Sequence, residues 1–264
     1  MSKQITTLIM DWAGTTVDFG CFAPVDAFIT AFETFGISPK MEETRAPMGL
    51  QKRAHIEKML SGERLSNLWK EKHGRAFTQD DINQIYEKFE PALFATLDRH
   101  ANVIPGVLDT VAEIREMGIK IGSTTGYTQA MMNVVAPAAK AAGYAPDCLV
   151  CPDEVGGIGR PFPYMLWRNL ECLGAESIHQ VLKIGDTQAD IEEGKRAGCI
   201  SVGVIKGSSM LGLSLAEYES KADAELIALH ESTRKKYLTV GADHVLNSIF
   251  ELPSLIQKIN EERN

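Results

Sequence analysis

The chain has 264 residues, of which 44% are hydrophobic and 23% are charged, and its formal net charge is −8. This composition is typical of a globular protein with one large domain, or with one domain and a smaller one. The negative charge disfavours nucleic acid and anionic lipid as main partners, although a small anionic substrate stays compatible with a locally basic pocket.

The five cysteines do not make the evenly paired framework of a disulfide-rich protein. No apolar stretch approaches the roughly 20 residues that a membrane span requires. No basic-then-apolar targeting signal opens the chain. We therefore expect a cytoplasmic protein with neither nucleic acid nor a membrane as a partner.

The first third of the chain predicts one strand and then only helices. An apolar stretch predicts a buried strand over 5–10, and the next pattern predicts a helix over 24–35, with Pro24 in its first turn and Gly36 after its end. From there to about residue 98 the periodicity is only helical, at 50–60, 65–73 and 80–97. No convincing strand pattern interrupts this helical region.

After residue 100, strands and helices alternate. The patterns predict strands over 119–123, 148–151, 181–184, 200–204 and, more weakly, 244–246. They predict helices over 107–117, 128–142 (with a kink at Pro137), 163–173, 191–197, 215–239 and 248–262.

Such alternation predicts the α/β fold class, with a doubly wound parallel sheet and helices on both faces. The core domain would comprise residues 1–20 and 100–264. Residues 21–99 would form an all-helical cap domain, inserted just after the first strand's loop. A cap at that place lies above the carboxyl edge of the sheet and can exclude water from a site there.

The loop after the first strand places an acid at this edge. Residues 8–18 are L-I-M-D-W-A-G-T-T-V-D, so Asp11 directly follows the buried strand. In open α/β sheets, ligands bind at the carboxyl ends of the strands. Gly14 would let backbone N–H groups approach an anion, and Thr15 and Thr16 would offer further donors. The alternative is an acid that only caps the following helix.

The next two strand ends contain groups that suit a phosphate-like anion. The second strand ends in S-T-T-G-Y, where Thr125 and the backbone N–H groups after it could bind such an anion. A helix cap at Thr128 explains the same residues. Arg160 lies between a glycine and a proline and could hold phosphoryl oxygens or a carboxylate. The alternative is an ordinary surface arginine.

The fourth strand is followed by G-D-T-Q-A-D, which spaces Asp186 and Asp190 four residues apart. Two such acids suit a hard divalent cation, and Asp190 could also cap the helix over 191–197. Together with Asp11 they predict Mg²⁺-assisted phosphoryl transfer, in which Asp11 is the nucleophile.

The order of these motifs resembles the haloacid dehalogenase superfamily. The resemblance implies an aspartate nucleophile at Asp11, a hydroxyl after the second strand, a basic residue, and an acid pair after the fourth strand. One residue departs from the pattern. Phosphatases of the superfamily have a second aspartate two residues after the nucleophile, as an acid and base for the leaving alcohol. Ala13 stands there and cannot transfer a proton, which disfavours ordinary phosphate-ester hydrolysis.

The inserted helical region contains a second chemical group. Its segment P-M-G-L-Q-K ends at Lys52, near the start of a predicted helix. The positive helix end and Arg53 should lower the pKa of this lysine, and a neutral amine can attack an aldehyde to form an imine. Taken alone, a lysine in this position is usually a solvated helix residue.

The segments D-W-A-G-T-T-V-D, P-M-G-L-Q-K, S-T-T-G-Y and G-R-P together resemble the members of the superfamily that hydrolyse carbon–phosphorus bonds. The resemblance also includes C-F-A-P at 21–24 and G-S-S at 207–209, and it runs from end to end. It implies that Lys52 forms an imine with the aldehyde of a phosphonate substrate while Asp11 attacks phosphorus. The electrons of the broken bond then form an enamine, so no acid is needed at Ala13.

The same resemblance implies the ligands of the site. Mg²⁺ would be held by the Asp11 carboxylate, the Ala13 carbonyl and Asp186, with Asp190 in support. A homodimer would form through the cap helices. The residues that would bind or adjoin the substrate are Cys21, Met48, Gly49, His55, Thr125, Tyr127 and Arg160.

Three other functions compete with this hypothesis. A phosphomonoesterase or phosphomutase of the same superfamily is disfavoured by Ala13. A catalytically silent binding module is disfavoured by the joint presence of the acids, Lys52 and Arg160. A redox or zinc pair at Cys148 and Cys151 is disfavoured because both lie in a predicted strand and no second pair exists.

Overall fold

The computed structural model describes residues 4–263 and centres on a six-stranded sheet in the order β3-β2-β1-β4-β5-β6. All neighbouring strands are parallel. This confirms the predicted doubly wound fold and its weakly predicted sixth strand. Residues 1–3 and 264, which the predicted core domain includes, lie outside the described residues. The strands are β1 (Thr7–Met10), β2 (Lys120–Thr124), β3 (Cys148–Val150), β4 (Val181–Gly185), β5 (Ile200–Val204) and β6 (His244–Leu246).

Strand β1 lies in the middle of the sheet, and its end marks the position of the site. Met10 pairs in register with Ser123 of β2 and with Ile184 of β4, so three strands end at one level. All four residues of β1 are buried, as expected for a central parallel strand with helices on both faces. The strand order reverses between β1 and β4, and such a reversal opens a crevice for ligands.

Five helices between Phe22 and Phe94 are called the cap helices here. As predicted, the structure has no strand between residues 22 and 94. A short helix that the sequence analysis missed, α2, is five residues long, too short for a periodic pattern. Phe28 and Phe89 stack with ring centroids 4.2 Å apart and join the first and last cap helices. The cap helices are α1 (Phe22–Glu33), α2 (Met41–Arg45), α3 (Lys52–Leu60), α4 (Glu63–His73) and α5 (Gln79–Phe94).

Within residues 4–263, seven further α-helices surround the sheet. The helix predicted over 215–239 is two helices, and the helix over 128–142 continues through Pro137. These helices are α6 (Val107–Glu116), α7 (Gln129–Ala141), α8 (Tyr164–Leu173), α9 (Gln188–Ala197), α10 (Leu215–Ser220), α11 (Asp223–Val240) and α12 (Leu252–Arg263).

Helix α9 begins three residues before its predicted start, and Thr187 caps it instead of Asp190. The Thr187 hydroxyl accepts the Asp190 N–H at 3.3 Å, and the Asp190 carboxylate accepts the Thr187 N–H at 3.2 Å. This reciprocal capping box fixes the Asp190 side chain beside the end of β4.

One disulfide joins β3 to α8, between Cys148 and Cys172, whose Cα atoms are 6.4 Å apart. The sequence analysis did not predict this pair, because 24 residues separate the two cysteines and only the packing of α8 on β3 brings them together. Cys148 is therefore not paired with Cys151, which is a free buried thiol. None of the helices between residues 4 and 263 has the length and apolarity needed to cross a membrane.

Candidate active site

Asp11 is held at the sheet edge by the turn that follows β1. Its backbone N–H donates to the Ile184 carbonyl at 3.0 Å, which extends the β1–β4 ladder by one residue. The buried Trp12 ring packs edge-on against Tyr144, with centroids 5.3 Å apart. The Trp12 carbonyl accepts three N–H groups of the turn, those of Thr15, Thr16 and Val17. The turn therefore leaves little freedom to the Asp11 backbone.

Glycine is required at position 14, but for a different reason than predicted. Gly14 has a φ of +89°, and a Cβ there would lie 2.1 Å from Asp186 Oδ2. The absent side chain thus makes room for a carboxylate, whereas the Gly14 N–H donates within the turn. The Thr16 hydroxyl also supports the turn, because it donates to the Asp11 carbonyl at 3.0 Å.

Three buried carboxylates meet at this edge. One oxygen from each of Asp11, Asp186 and Asp190 lies within 4.8 Å of the others. Asp186 Oδ2 accepts the Ser209 N–H at 2.7 Å, whereas its buried Oδ1 has no hydrogen-bond partner within residues 4–263. Burial raises the pKa of Asp186 well above its ordinary value, and the charges of Asp11 and Asp190 raise it further. An unsatisfied carboxylate oxygen beside a second carboxylate fits a divalent cation.

Arg160 is buried at the centre of the acids, so the alternative of a surface arginine is wrong. Its Nη2 donates to Asp11 Oδ1 at 2.6 Å and to the Thr124 carbonyl at 2.7 Å. Its Nη1 lies 2.8 Å from Asp190 Oδ1. Burial alone would raise the pKa of Asp190, but the charges of Arg160 and Lys183 hold that pKa below its ordinary value.

The sequence analysis missed a polar layer directly below the acids. Lys183 on β4 and Glu193 on α9 are both fully buried, and Lys183 Nζ lies 3.2 Å from Glu193 Oε2. Lys183 Nζ also donates to Thr124 Oγ1 at 2.9 Å and lies 2.9 Å from Asp190 Oδ1. The sequence does contain one sign of this polar layer, namely a lysine inside the apolar stretch 181–185. A charge that is buried in a strand requires polar partners nearby.

Lys52, the first residue of α3, is almost completely buried, with 3% of its surface exposed. Its Nζ lies 4.6 Å from the centroid of the Tyr127 ring. Burial lowers the pKa of Lys52 to about 8; Cys21 and Asp11 oppose this shift, whereas the charge of Arg160 adds to it. A lowered pKa was predicted, but its main cause is burial and not the helix end or Arg53.

Asp11, Asp186 and Lys52 line one small cavity, which lies where the cap helices meet the sheet edge. Its volume of about 20 Å³ leaves room for roughly one water molecule. A Cβ at Gly49 would lie 2.2 Å from Thr187 Oγ1, so the cap and the core are in close contact here. The structure therefore represents a closed site. The lining residues are Asp11, Ala13, Cys21, Pro24, Met48, Gly49, Lys52, Thr125, Gly126, Tyr127, Arg160, Asp186 and Thr187.

Of the residues predicted to adjoin the substrate, His55 does not line this cavity. Its ring stacks on Phe28 with centroids 3.9 Å apart, and its Nε2 is 2.9 Å from the Thr44 carbonyl. Burial lowers the pKa of His55 well below its ordinary value, and the Lys52 charge acts in the same direction. A neutral His55 thus supports α3 from inside the cap.

A larger cavity of about 1050 Å³ lies beside the small one, between α2, the 209–212 loop and α11. The two cavities share Met48 and Thr187 in their walls. The larger one is not lined by Asp11, Lys52 or Arg160, so the chemistry belongs to the small cavity.

The doubly wound sheet, the aspartate after β1, the acid pair after β4 and the buried arginine together define a hydrolase that uses a carboxylate nucleophile. A family model described as haloacid dehalogenase-like hydrolase matches residues 5–198, and the chain belongs to this family.

Similarity to individual proteins makes the family assignment of this chain more specific. Over 259 residues the chain is 47% identical to the phosphonoacetaldehyde hydrolase of Lysinibacillus sphaericus, covering 98% of this chain and 96% of that protein. It is 46% identical to the bifunctional phosphonoacetaldehyde hydrolase/aminoethylphosphonate transaminase of Clostridioides difficile, covering 98% of this chain but 41% of that protein.

A solved structure agrees with these relatives. The crystal structure of a phosphonoacetaldehyde hydrolase-like protein from Oleispira antarctica matches with a TM-score of 0.95 and 34% identity, covering 98% of this chain and 94% of that chain. Within the haloacid dehalogenase-like hydrolases, the chain therefore belongs to the phosphonoacetaldehyde hydrolase family.

Proposed function

We propose that this protein hydrolyses the carbon–phosphorus bond of phosphonoacetaldehyde to acetaldehyde and phosphate, in the degradation of 2-aminoethylphosphonate. The observation that carries the proposal is the burial of Lys52 in the same closed cavity as Asp11. This cavity combines an amine that is partly neutral near pH 8 with a carboxylate nucleophile. The names of the relatives supply the substrate.

The role of Lys52 is to make carbon a leaving group. Its neutral Nζ attacks the aldehyde carbon, and loss of one water leaves an imine. Once this imine is protonated on nitrogen, the electron pair of the breaking carbon–phosphorus bond forms a carbon–carbon double bond. The carbon–nitrogen π pair moves onto nitrogen, so the product is a neutral enamine instead of a bare carbanion. Protonation of the enamine carbon and hydrolysis of the imine release acetaldehyde and restore the lysine.

The role of Asp11 is to accept the phosphoryl group. Its carboxylate attacks phosphorus as the carbon–phosphorus bond breaks, which forms an aspartyl phosphate, and water then releases phosphate. Arg160 donates to Asp11 Oδ1 and can reach phosphonyl oxygens from the same place. Because the leaving group is an enamine, the reaction needs no side-chain acid at position 13, and alanine is sufficient there.

Mg²⁺ fits the carboxylate cluster, and we assign its binding to Asp11, the Ala13 carbonyl and Asp186, with Asp190 in support. Asp186 Oδ1, which is buried and has no hydrogen-bond partner within residues 4–263, supports this assignment. When bound, the cation would offset the repulsion between Asp11 and the phosphonyl group. Asp190 supports the site through Arg160 and Thr187, because its two oxygens already have these protein partners.

We further propose that the chain is divided into a core domain of residues 1–20 and 100–264 and a cap domain of residues 21–99. The cap would move away from the core to admit the substrate. The small volume of the cavity supports such a movement, since the substrate cannot enter the closed form. We also propose a cytoplasmic location, in keeping with the bacterial hydrolases to which the chain is related.

Turnover assays test the function. With phosphonoacetaldehyde and Mg²⁺, the protein should release acetaldehyde and phosphate in equal amounts. The Lys52→Arg variant should lose this activity with its fold intact, because an arginine stays protonated and forms no imine. Lys58→Arg, at an exposed position of the same helix, is the matched control. Hydrolysis of sugar phosphates instead would indicate a phosphatase, and inertness toward both substrates would indicate a binding module.

A further inference from the structure

Lys183 is a buried cation that the proposed reaction does not use. It lies in the middle of β4, one strand away from the nucleophile, and has no exposed surface. Its Nζ contacts three oxygens of other side chains, and none belongs to Asp11 or Asp186. A lysine so deeply buried requires this full set of partners, so its position is fixed.

Lys183 and Arg160 share the same three oxygen atoms. Thr124 Oγ1 lies 2.9 Å from both cations. Asp190 Oδ1 lies 2.8 Å from the guanidinium and 2.9 Å from the ammonium. Glu193 Oε2 lies 3.2 Å from both. These three acceptors are therefore held between two cations.

Because Lys183 and Arg160 share these acceptors, Lys183 affects which acids the Arg160 guanidinium contacts. Asp190 and Glu193 are acidic, and Lys183, which does not line the cavity, compensates part of their charge. Because the guanidinium does not have to neutralise both acids alone, its Nη2 can keep the 2.6 Å contact with Asp11. Asp11 lines the cavity, so this is the part of Arg160 that meets a bound anion.

We propose that Lys183 is a positioning residue, which balances Asp190 and Glu193 so that Arg160 faces Asp11 and the phosphonyl group. This inference rests on the proposed function for the identity of the anion. Without the Lys183 charge, the two acids would draw the guanidinium toward themselves and away from the cavity. Phosphonate and phosphate would then both bind more weakly.

The experiment measures the binding of inorganic phosphate, the reaction product, by calorimetry in the presence of Mg²⁺. Lys183→Met should raise the dissociation constant for phosphate at least about tenfold, the usual scale for loss of an outer-sphere partner. The KM for phosphonoacetaldehyde should rise in parallel, while borohydride still traps an adduct at Lys52. The matched control is Lys195→Met in α9, which breaks an exposed 2.7 Å ion pair with Asp243 and should leave phosphate binding unchanged.

A double variant protects the test against misfolding. Lys183→Met with Glu193→Gln removes one buried cation together with one buried anion, a change that buried ion pairs often tolerate. It should fold and bind phosphate more tightly than the single Lys183→Met variant, but less tightly than the wild type. If the single variant does not fold, weaker phosphate binding by the double variant still supports the proposal.

Wild-type phosphate affinity in either variant would overturn the inference, and so would a double variant that binds no better than a folded Lys183→Met. These outcomes are separate from the fate of the proposed function. Phosphate binding is measured without the aldehyde, whereas the proposed function fails only if the wild-type protein releases no acetaldehyde.

Discussion

Lys52 is the residue whose environment decides the chemistry. A pKa of about 8, against an ordinary 10.5, means that the site as a whole disfavours the charged amine by about 3 kcal/mol, with burial as the largest cause. At neutral pH about one amine in ten is then uncharged, compared with fewer than about one in a thousand for an exposed lysine. Because only the uncharged form attacks an aldehyde, the closed cap itself prepares the reaction.

The pH dependence of imine formation follows from this pKa. The protonated amine dominates below pH 8 and cannot attack, so the rate should rise about tenfold per pH unit on the acid side and level off above about pH 8 to 9. Initial rates of borohydride trapping between pH 6 and 10 measure it. A rate that is constant from pH 6 to 9, or that is still rising steeply at pH 10, would contradict the lowered pKa of Lys52.

Gly14 provides a test of the carboxylate cluster. A Cβ at this position would lie 2.1 Å from Asp186 Oδ2, and its φ of +89° disfavours any side chain. Gly14→Ala should displace the Asp186 carboxylate and weaken Mg²⁺ binding by about 10-fold to 100-fold, as measured by calorimetry. Gly156→Ala is the control, because the φ of Gly156 is also positive, at +68°, and a Cβ built there would have no neighbouring atom within 4 Å. Equal Mg²⁺ affinity in the two variants would refute this role of Gly14.

At the scale of single residues, the acids after β1 and β4 could be predicted, because each follows an apolar strand directly in the sequence. Lys52 could be singled out only through the neighbouring motif, since nothing local distinguishes it from a solvated helix lysine. Lys183 and Glu193 were missed. Their partners come from three different elements, and such contacts exist only after the sheet and α9 have packed.

Among the elements, the turn between α2 and α3 is one of the places where the segment 21–99 contacts the rest of the chain. The Gly49 and Leu50 carbonyls lie 3.0 Å from the position that a Cβ on Gly126 would take. Gly49 itself has a φ of +88° and lies against Thr187 of the core. Gly126 thus lets backbone pack against backbone, and Gly49 lets the backbone approach the Thr187 side chain where the site closes.

Gly49→Ala should therefore prevent full closure of the cap. The added methyl group would meet Thr187 Oγ1 at 2.2 Å, so kcat/KM for phosphonoacetaldehyde should fall at least about tenfold as water enters the site. Gly74→Ala, at the end of α4, has a similar φ of +72° but open space around it, and should stay near wild-type activity. A Gly49→Ala variant as active as Gly74→Ala would show that this contact does not limit closure.

The strands and the longer helices could be predicted from the sequence, whereas the shortest helix and the capping of α9 could not. The helices with apolar periodicity were recognised, although many of their ends differ from the prediction by one to four residues, since helix ends are the least certain part of an element. Helix α2 escaped because five residues contain little more than one turn. The start of α9 was misplaced because Thr187 and Asp190 form a reciprocal cap, whereas the sequence suggested a single capping acid.

For the whole molecule, the structure weakens the argument that apolar faces of the cap helices are available for a homodimer interface. The apolar residues of the cap helices, such as Trp69, Phe89 and Leu93, are buried inside the cap. Of the large hydrophobic side chains that are exposed within residues 4–263, only Met41 lies in the cap helices. The homodimer through the cap stays a prediction, and it now depends on the family resemblance alone.

Light scattering coupled to gel filtration tests that prediction. A homodimer should have twice the 29.0 kDa mass of one chain, and the mass should stay constant on tenfold dilution. A single-chain mass at micromolar concentration would refute it.

The central claim is that carbon–phosphorus cleavage proceeds through an imine on Lys52. Its most direct measurement is reduction with borohydride during turnover of phosphonoacetaldehyde, followed by mass spectrometry of the peptides. The account predicts irreversible loss of activity and one two-carbon adduct, located on Lys52, in proportion to that loss. Continued release of acetaldehyde with no adduct, or an adduct on a different lysine, would contradict it.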